Sequence, residues 1–171
     1  GTSNTAGVDW TFKGSAGTGT GVGGKLRLQA AGAGATGTAQ NTIVDRIITG
    51  AETALTDATA TNLFTITLPT LTAASGVINF TAVAADATDV QTRSAVLRWS
   101  VANKAGTYFS EAAVVSEAAS LSAGTFTCTY DFTTGSNQIT LRANCDTSLT
   151  PTSLYGTWTL NNNSRQAITV P

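Results

Sequence analysis

Cys128 and Cys145 are the residues whose chemistry is most open to test from sequence. They close a stretch that reads GTFTCTYDF, then TTGSN, then QITLRANC. Phe126, Cys128, Tyr130 and Phe132 alternate with Thr125, Thr127, Thr129 and Asp131, and Ile139, Leu141, Ala143 and Cys145 alternate with polar residues. Period-two alternation gives a strand one buried face and one wet face. The linker Thr133–Asn137 has turn chemistry, so the stretch is a β-hairpin. Antiparallel partners have position numbers with a constant sum. If Cys128 faces Cys145, then Phe126 faces Thr147, Tyr130 faces Ala143 and Thr134 faces Ile139. The apolar faces of the two arms then coincide, and a loop from Gly135 to Gln138 remains. A Cys128–Cys145 disulfide is the expectation, and it implies an oxidising, extracellular setting. The competing reading is a pair of small buried thiols.

The other chemistry-bearing residues are sparse. Gly19 to Gly24 matches G-x-G-x-x-G, with Asp45 about the right distance on. That motif must open a helix, whereas Lys25-Leu-Arg-Leu-Gln29 alternates as a strand does, so the match is a decoy. Asp86 and Asp89 share a loop, and Asp57 sits in similar local sequence; such oxygens can bind calcium, but their spacing matches no established loop. Glu111 and Glu117 are the glutamates besides Glu52, and nothing places them across a cleft as glycoside hydrolysis requires. Histidine is absent, which excludes Ser-His and Cys-His catalysis in their usual forms and, with only two cysteines, disfavours zinc. The chain is expected to be no enzyme and to need no cofactor or metal. Asn79-Phe-Thr81 and Asn162-Asn-Ser164 are sequons and make Asn79 and Asn162 candidate glycosylation sites. Trp99 and Trp158 fall in phase with a core, whereas Tyr108 and Tyr155 are freer to meet a sugar.

Only 11% of the 171 residues are charged, and the net charge is −1, which leaves no electrostatic case for nucleic acid. No apolar run reaches the length of a membrane helix. Low charge suits a surface packed against copies of itself. From about Glu52, eight candidate strands follow: 61–68, 77–85, 91–103, 107–116, 124–132, 138–145, 153–160 and 166–170. Turn signals separate them. The pattern predicts an all-β domain over 51–171, a jelly-roll-like or Ig-like sandwich of about eight antiparallel strands. Its inner face would carry Phe64, Ile66, Leu68, Ile78, Phe80, Leu97, Trp99, Val101, Phe126, Tyr130, Leu141, Trp158 and Leu160. Glu111–Ala119 competes as a helix, with a strand favoured.

Residues 1–50 differ in texture. Trp10 and Phe12, then Leu26 and Leu28, then Ile43, Val44, Ile47 and Ile48 form short strand-like pieces between tracts of Gly, Ala and Thr. WTFKGSAGTGTG and LRLQAAGAGATG echo each other as a loose repeat. Ordering so many glycines carries a large entropy cost, so the segment reads as an extended arm that needs a partner. Trp10–Phe12 and Ile43–Ile48 are its candidate assembly strands.

The arm GSAGTGTGVGGKLRLQAAGAGATGTAQN resembles the glycine-rich stalks of uncharacterised virion-associated fibre and decoration proteins of tailed phages. The stretches DATATNLFTITLP, VANKAGTY, ANCDTSLTPTS and NNSRQAITV resemble their terminal modules. The resemblance implies a multimeric β-rich structural protein on a virion or in another extracellular filament, with no catalytic residues. Two functions follow as expectations. One is a subunit that self-assembles into a fibre, its arm packing on or donating a strand to a neighbour. The other is a fibre-tip or decoration domain that binds cell-surface glycans through Tyr108, Tyr155, Asp86 and Asp89.

Overall fold

The computed structural model describes residues 24–31 and 43–171. They form an all-β sandwich of ten strands: β1 (Leu26–Ala31), β2 (Ile43–Ala54), β3 (Thr59–Thr67), β4 (Thr72–Ala85), β5 (Val90–Lys104), β6 (Thr107–Leu121), β7 (Phe126–Gly135), β8 (Gln138–Thr147), β9 (Ser153–Asn162) and β10 (Ile168–Thr169). One sheet has the order β1-β2-β9-β4-β5-β6 and the other β10-β3-β8-β7. Every pairing is antiparallel. The pairing of β3 with β8 is nested in sequence inside that of β2 with β9, as in a rolled-up ribbon, while β4, β5 and β6 form a meander.

The core lies between the two sheets and follows the period-two pattern. Phe64, Ile66, Leu68, Ile78, Phe80, Leu97, Trp99, Val101, Phe126, Leu141, Trp158 and Leu160 are all buried, and Tyr130 is half-buried against them. Phe64 of the smaller sheet tilts against Trp99 and Trp158 of the larger, with ring centroids 5.5 and 6.2 Å apart. Phe80 meets Tyr130 edge-on at 5.7 Å. These geometries suit the ring quadrupoles. Phe80 also packs where Gly156 has no side chain: a Cβ there would lie 2.6 Å from the ring.

Bulges account for the places where alternation fails. Leu63 and Phe64 are adjacent yet both fully buried, because β3 slips one residue against β8 between Asn62 and Phe64. Ile48 and Ala51, three apart, are both buried because β2 slips between them, and Gly50 takes φ +72° there.

β2 crosses the expected boundary at residue 50. It hydrogen-bonds along β9 from Ile47 to Ala54, and its Val44 and Ile48 are buried. Residues 43–50 therefore belong to the sandwich. β1 pairs with β2 as the sheet's outermost strand on that side. Buried Asp45 holds this hairpin: its carboxylate accepts hydrogen bonds from Arg27 Nη1 at 2.7 Å and Gln29 Nε2 at 2.8 Å. Lys25 Nζ donates to the Pro171 carbonyl at 2.6 Å, and Arg46 donates to the Ser164 carbonyl, tying the start of the sheet to the end of the chain.

Candidate functional site

The β7–β8 hairpin has the register its cysteines require. Phe126 faces Thr147, Cys128 faces Cys145, Tyr130 faces Ala143 and Thr134 faces Ile139. Cys128 and Cys145 are disulfide-bonded, with Cα atoms 4.2 Å apart, and both are buried. The ladder runs one pair further than expected, to Gly135 and Gln138, so only Ser136 and Asn137 turn the chain. Asn137 takes φ +56°, a conformation that asparagine tolerates.

The candidate acids are dispersed or already engaged. Asp86 Oδ1 accepts from the backbone N–H groups of Thr88 and Asp89, both at 2.8 Å, and these bonds hold its pKa below the ordinary value. Asp89 accepts from Thr88 Oγ1 and from Ser122 Oγ. Asp57 Oδ1 accepts from the backbone N–H of Thr147. These are turn-bracing contacts, and no group of three or more metal-ligating side chains forms among the described residues.

Glu111 and Glu117 lie on opposite faces of β6. Six residues apart, they would share a face in a regular strand. The register shift at Val115 turns the strand over between them. Glu111 faces Ser100 on the outer surface, whereas Glu117 faces buried Ala95 on the inner side. There Glu117 pairs with Arg93 at 2.6 Å, and Arg93 also donates to the Phe126 carbonyl. Burial, and then the nearby Glu117 charge, push the Tyr130 phenol well above its ordinary pKa.

The two sequons have different fates. Asn79 is exposed in mid-β4 on the outer face. Asn162 is buried, and its Nδ2 donates to the carbonyls of Asp45 and Gln166 at 2.9 and 3.0 Å. A glycan on that nitrogen is incompatible with this arrangement, which rules Asn162 out as a glycosylation site in the folded chain. Its role is to pin β2 and the β9–β10 connection. The aromatic and acidic residues expected at a sugar site do not all converge: Tyr155 faces Val83, three residues before Asp86, but Tyr108 lies apart from both acids. Tyr108 faces Asn103 at one end of β5, while Asp86 and Asp89 precede its other end. Strand rise puts those ends roughly 45 Å apart.

Sequence reasoning missed the sheet edge at β6. This strand is fifteen residues long, and apart from half-buried Tyr108 and Ala112 all of it is exposed. Phe109 is 57% exposed, Val114 48%, Val115 54% and Leu121 39%. The available signal was the failure of EAAVVSEAA to alternate cleanly, which reflects an edge strand with a bulge. Of the expected assembly strands, Ile43, Val44, Ile47 and Ile48 lie in β2 and pair within their own chain, whereas Trp10 and Phe12 lie outside the described residues. The glycine motif at 19–24 lies almost wholly outside them too, and the chain after it enters strand β1.

No family model and no curated protein matches the chain. Among solved structures, the tailspike protein of Acinetobacter phage vB_ApiP_P1 is similar, with a TM-score of 0.39 and 15% identity. The match covers 88% of this chain and 26% of the tailspike chain, so this chain spans about a quarter of that protein. A likeness this distant carries no functional argument. No described helix is long and apolar enough to cross a membrane.

Proposed function

We propose that this chain is a structural, non-enzymatic subunit that assembles with copies of itself into an extracellular or virion-surface fibre. The observation that carries the reading is the first half of β6, Thr107–Val114, an exposed strand that carries one charged residue and has no partner on its outer side among the described residues. Low overall charge fits a surface covered by neighbours. In this reading the arm, whose glycine-rich tracts lie on both sides of β1, packs on or donates a strand to a neighbouring copy, with residues 1–23 as its leading part. Asp45, Asp57, Asp86, Asp89, Glu117 and Asp131 brace turns or pair with arginines, which leaves these six little scope for acid–base chemistry.

Electron microscopy of the purified full chain tests this reading directly. Uniform filaments or regular oligomers are expected. Strictly monomeric particles at high concentration would refute it. The informative truncation removes residues 1–23 only, because β2 belongs to the core. The truncated chain should keep its fold by circular dichroism and lose long filaments; filaments of unchanged length would remove the arm from the mechanism.

A further inference from the structure

The described strands at sheet edges are not equally open to a partner. β10 has two residues. β1 has six, with Arg27 on it and a register shift after Leu28. β7 carries Asp131, paired to Arg142 at 2.5 Å. β6 is different over its first eight residues, Thr107 to Val114. They pair without interruption against β5 from Lys104 back to Leu97. This half contains no lysine, arginine or proline and one acid, Glu111. Its second half is guarded by the bulge at Val115 and the inward Glu117, two devices that deter edge pairing. The open half is therefore bounded on one side by the Ala105–Gly106 turn and on the other by the bulge.

We infer that Thr107–Ala113 of β6 pairs antiparallel with the same segment of a second copy, about a two-fold axis at Ser110, joining two six-stranded sheets. This deepens the self-association reading above, but uses a different element from the arm.

The register follows by elimination. Thr107, Phe109, Glu111 and Ala113 share the outer face, and Tyr108, Ser110, Ala112 and Val114 the inner one. Residues opposite one another must share a face, so the axis passes through a residue and not between two. An axis at Glu111 sets two carboxylates against each other, which is destabilising. An axis at Ala112 brings Phe109 against the bulged Val115, where the ladder is broken. An axis at Phe109 runs the pairing into the turn at Ala105–Gly106. An axis at Ser110 sets Phe109 against Glu111, Tyr108 against Ala112, and Thr107 against Ala113, each twice. Exposed Phe109 then covers the stem of Glu111, and the two acids are kept apart. A self-complementary patch of this kind makes a closed, isologous contact. Seven residues a side is a small interface, so the pair is concentration-dependent and needs to be trapped.

Ser110→Cys in the full chain provides the trap. Under mild oxidation it should yield disulfide-linked dimer, with the 110–110 bond located by peptide mass mapping and the Cys128–Cys145 bond retained. Thr107→Cys is the control, since position 107 faces Ala113 of the other copy and the two substituted thiols lie far apart. Cross-linking at 110 is expected at least tenfold faster than at 107. In the Ser110→Cys background, Phe109→Arg should speed capture several-fold by pairing with Glu111, and Phe109→Asp should slow it by a similar factor. Equal rates at 110 and 107, or indifference to the charge at 109, would overturn the inference. Filaments that persist while capture at 110 fails would reject the β6 contact alone. Capture at 110 with no filament would leave this contact standing and reject the fibre.

Discussion

Two hairpins, β5–β6 and β7–β8, put the same backbone geometry to opposite uses. Both are long and antiparallel with a tight turn. In β7–β8 the second strand alternates cleanly, with Ile139, Leu141, Ala143 and Cys145 buried, and a disulfide crosses the pair. β8 lies inside its sheet, with β3 on its far side. In β5–β6 the second strand is the last of its sheet and lies mostly in water. A strand between two neighbours has each side chain assigned to a face by what lies above and below it. An edge strand is under weaker constraint, so after its bulge it can reverse its facing and keep apolar groups in solvent. The difference separates what holds this fold from what it offers to a partner.

The sharpest way to break that contrast is to truncate one phenylalanine in each region. Phe64→Ala removes a fully buried ring that contacts two tryptophans. It should lower the unfolding free energy by about 3–5 kcal/mol. Phe109→Ala removes a ring that is mostly in water and should change stability by no more than about 0.5 kcal/mol, while weakening self-association. Urea denaturation of dilute protein measures both. A large loss at Phe109 in monomer would mean that the β6 edge is part of the core.

The disulfide comes next in size. It closes a separation of 17 residues, and constraining an unfolded loop of that length is worth about 3 kcal/mol. Replacing Cys128 and Cys145 together by alanine should therefore cost about 2–4 kcal/mol by denaturant titration. The edge at β6 should be untouched, so the rate of oxidative capture in the Ser110→Cys background should not change. Loss of both together would show that the two hairpins are coupled.

Much of this architecture is legible in the sequence. Once Cys128 is set against Cys145 the apolar faces of the two arms coincide, and the inward set from Phe64 to Leu160 follows from period two. Both work because a sandwich strand has one buried face. Legibility fails where an extra residue breaks the period. At Ile47-Ile48-Thr49-Gly50 a bulge disguises a core strand as part of an arm, and at EAAVVSEAA another blurs the alternation of an edge strand enough for a helix to compete with it. It fails again at Asn162, whose amide is fixed by the Asp45 carbonyl 117 residues away. A sequon is a local pattern, and burial is not.

The smallest effect distinguishes the ion pairs of the two hairpins. Arg93–Glu117 sits on the inner side of β5–β6, with the two side chains 21% and 30% exposed, and its arginine also holds the Phe126 carbonyl of β7. Arg142–Asp131 lies on the outside of β7–β8, where the aspartate is 56% exposed and water competes for both partners. Glu117→Gln removes the charge that holds the bulged strand inward, and should cost about 0.2–1 kcal/mol. Asp131→Asn should cost less than Glu117→Gln, because the aspartate is mostly in water and its hairpin is already fixed by the disulfide and by β3. Added salt should weaken the external pair more than the internal one. Denaturation at low and high ionic strength separates the two. Equal and small losses would mean that the bulge at Val115, and not the Arg93 contact, sets the direction of Glu117.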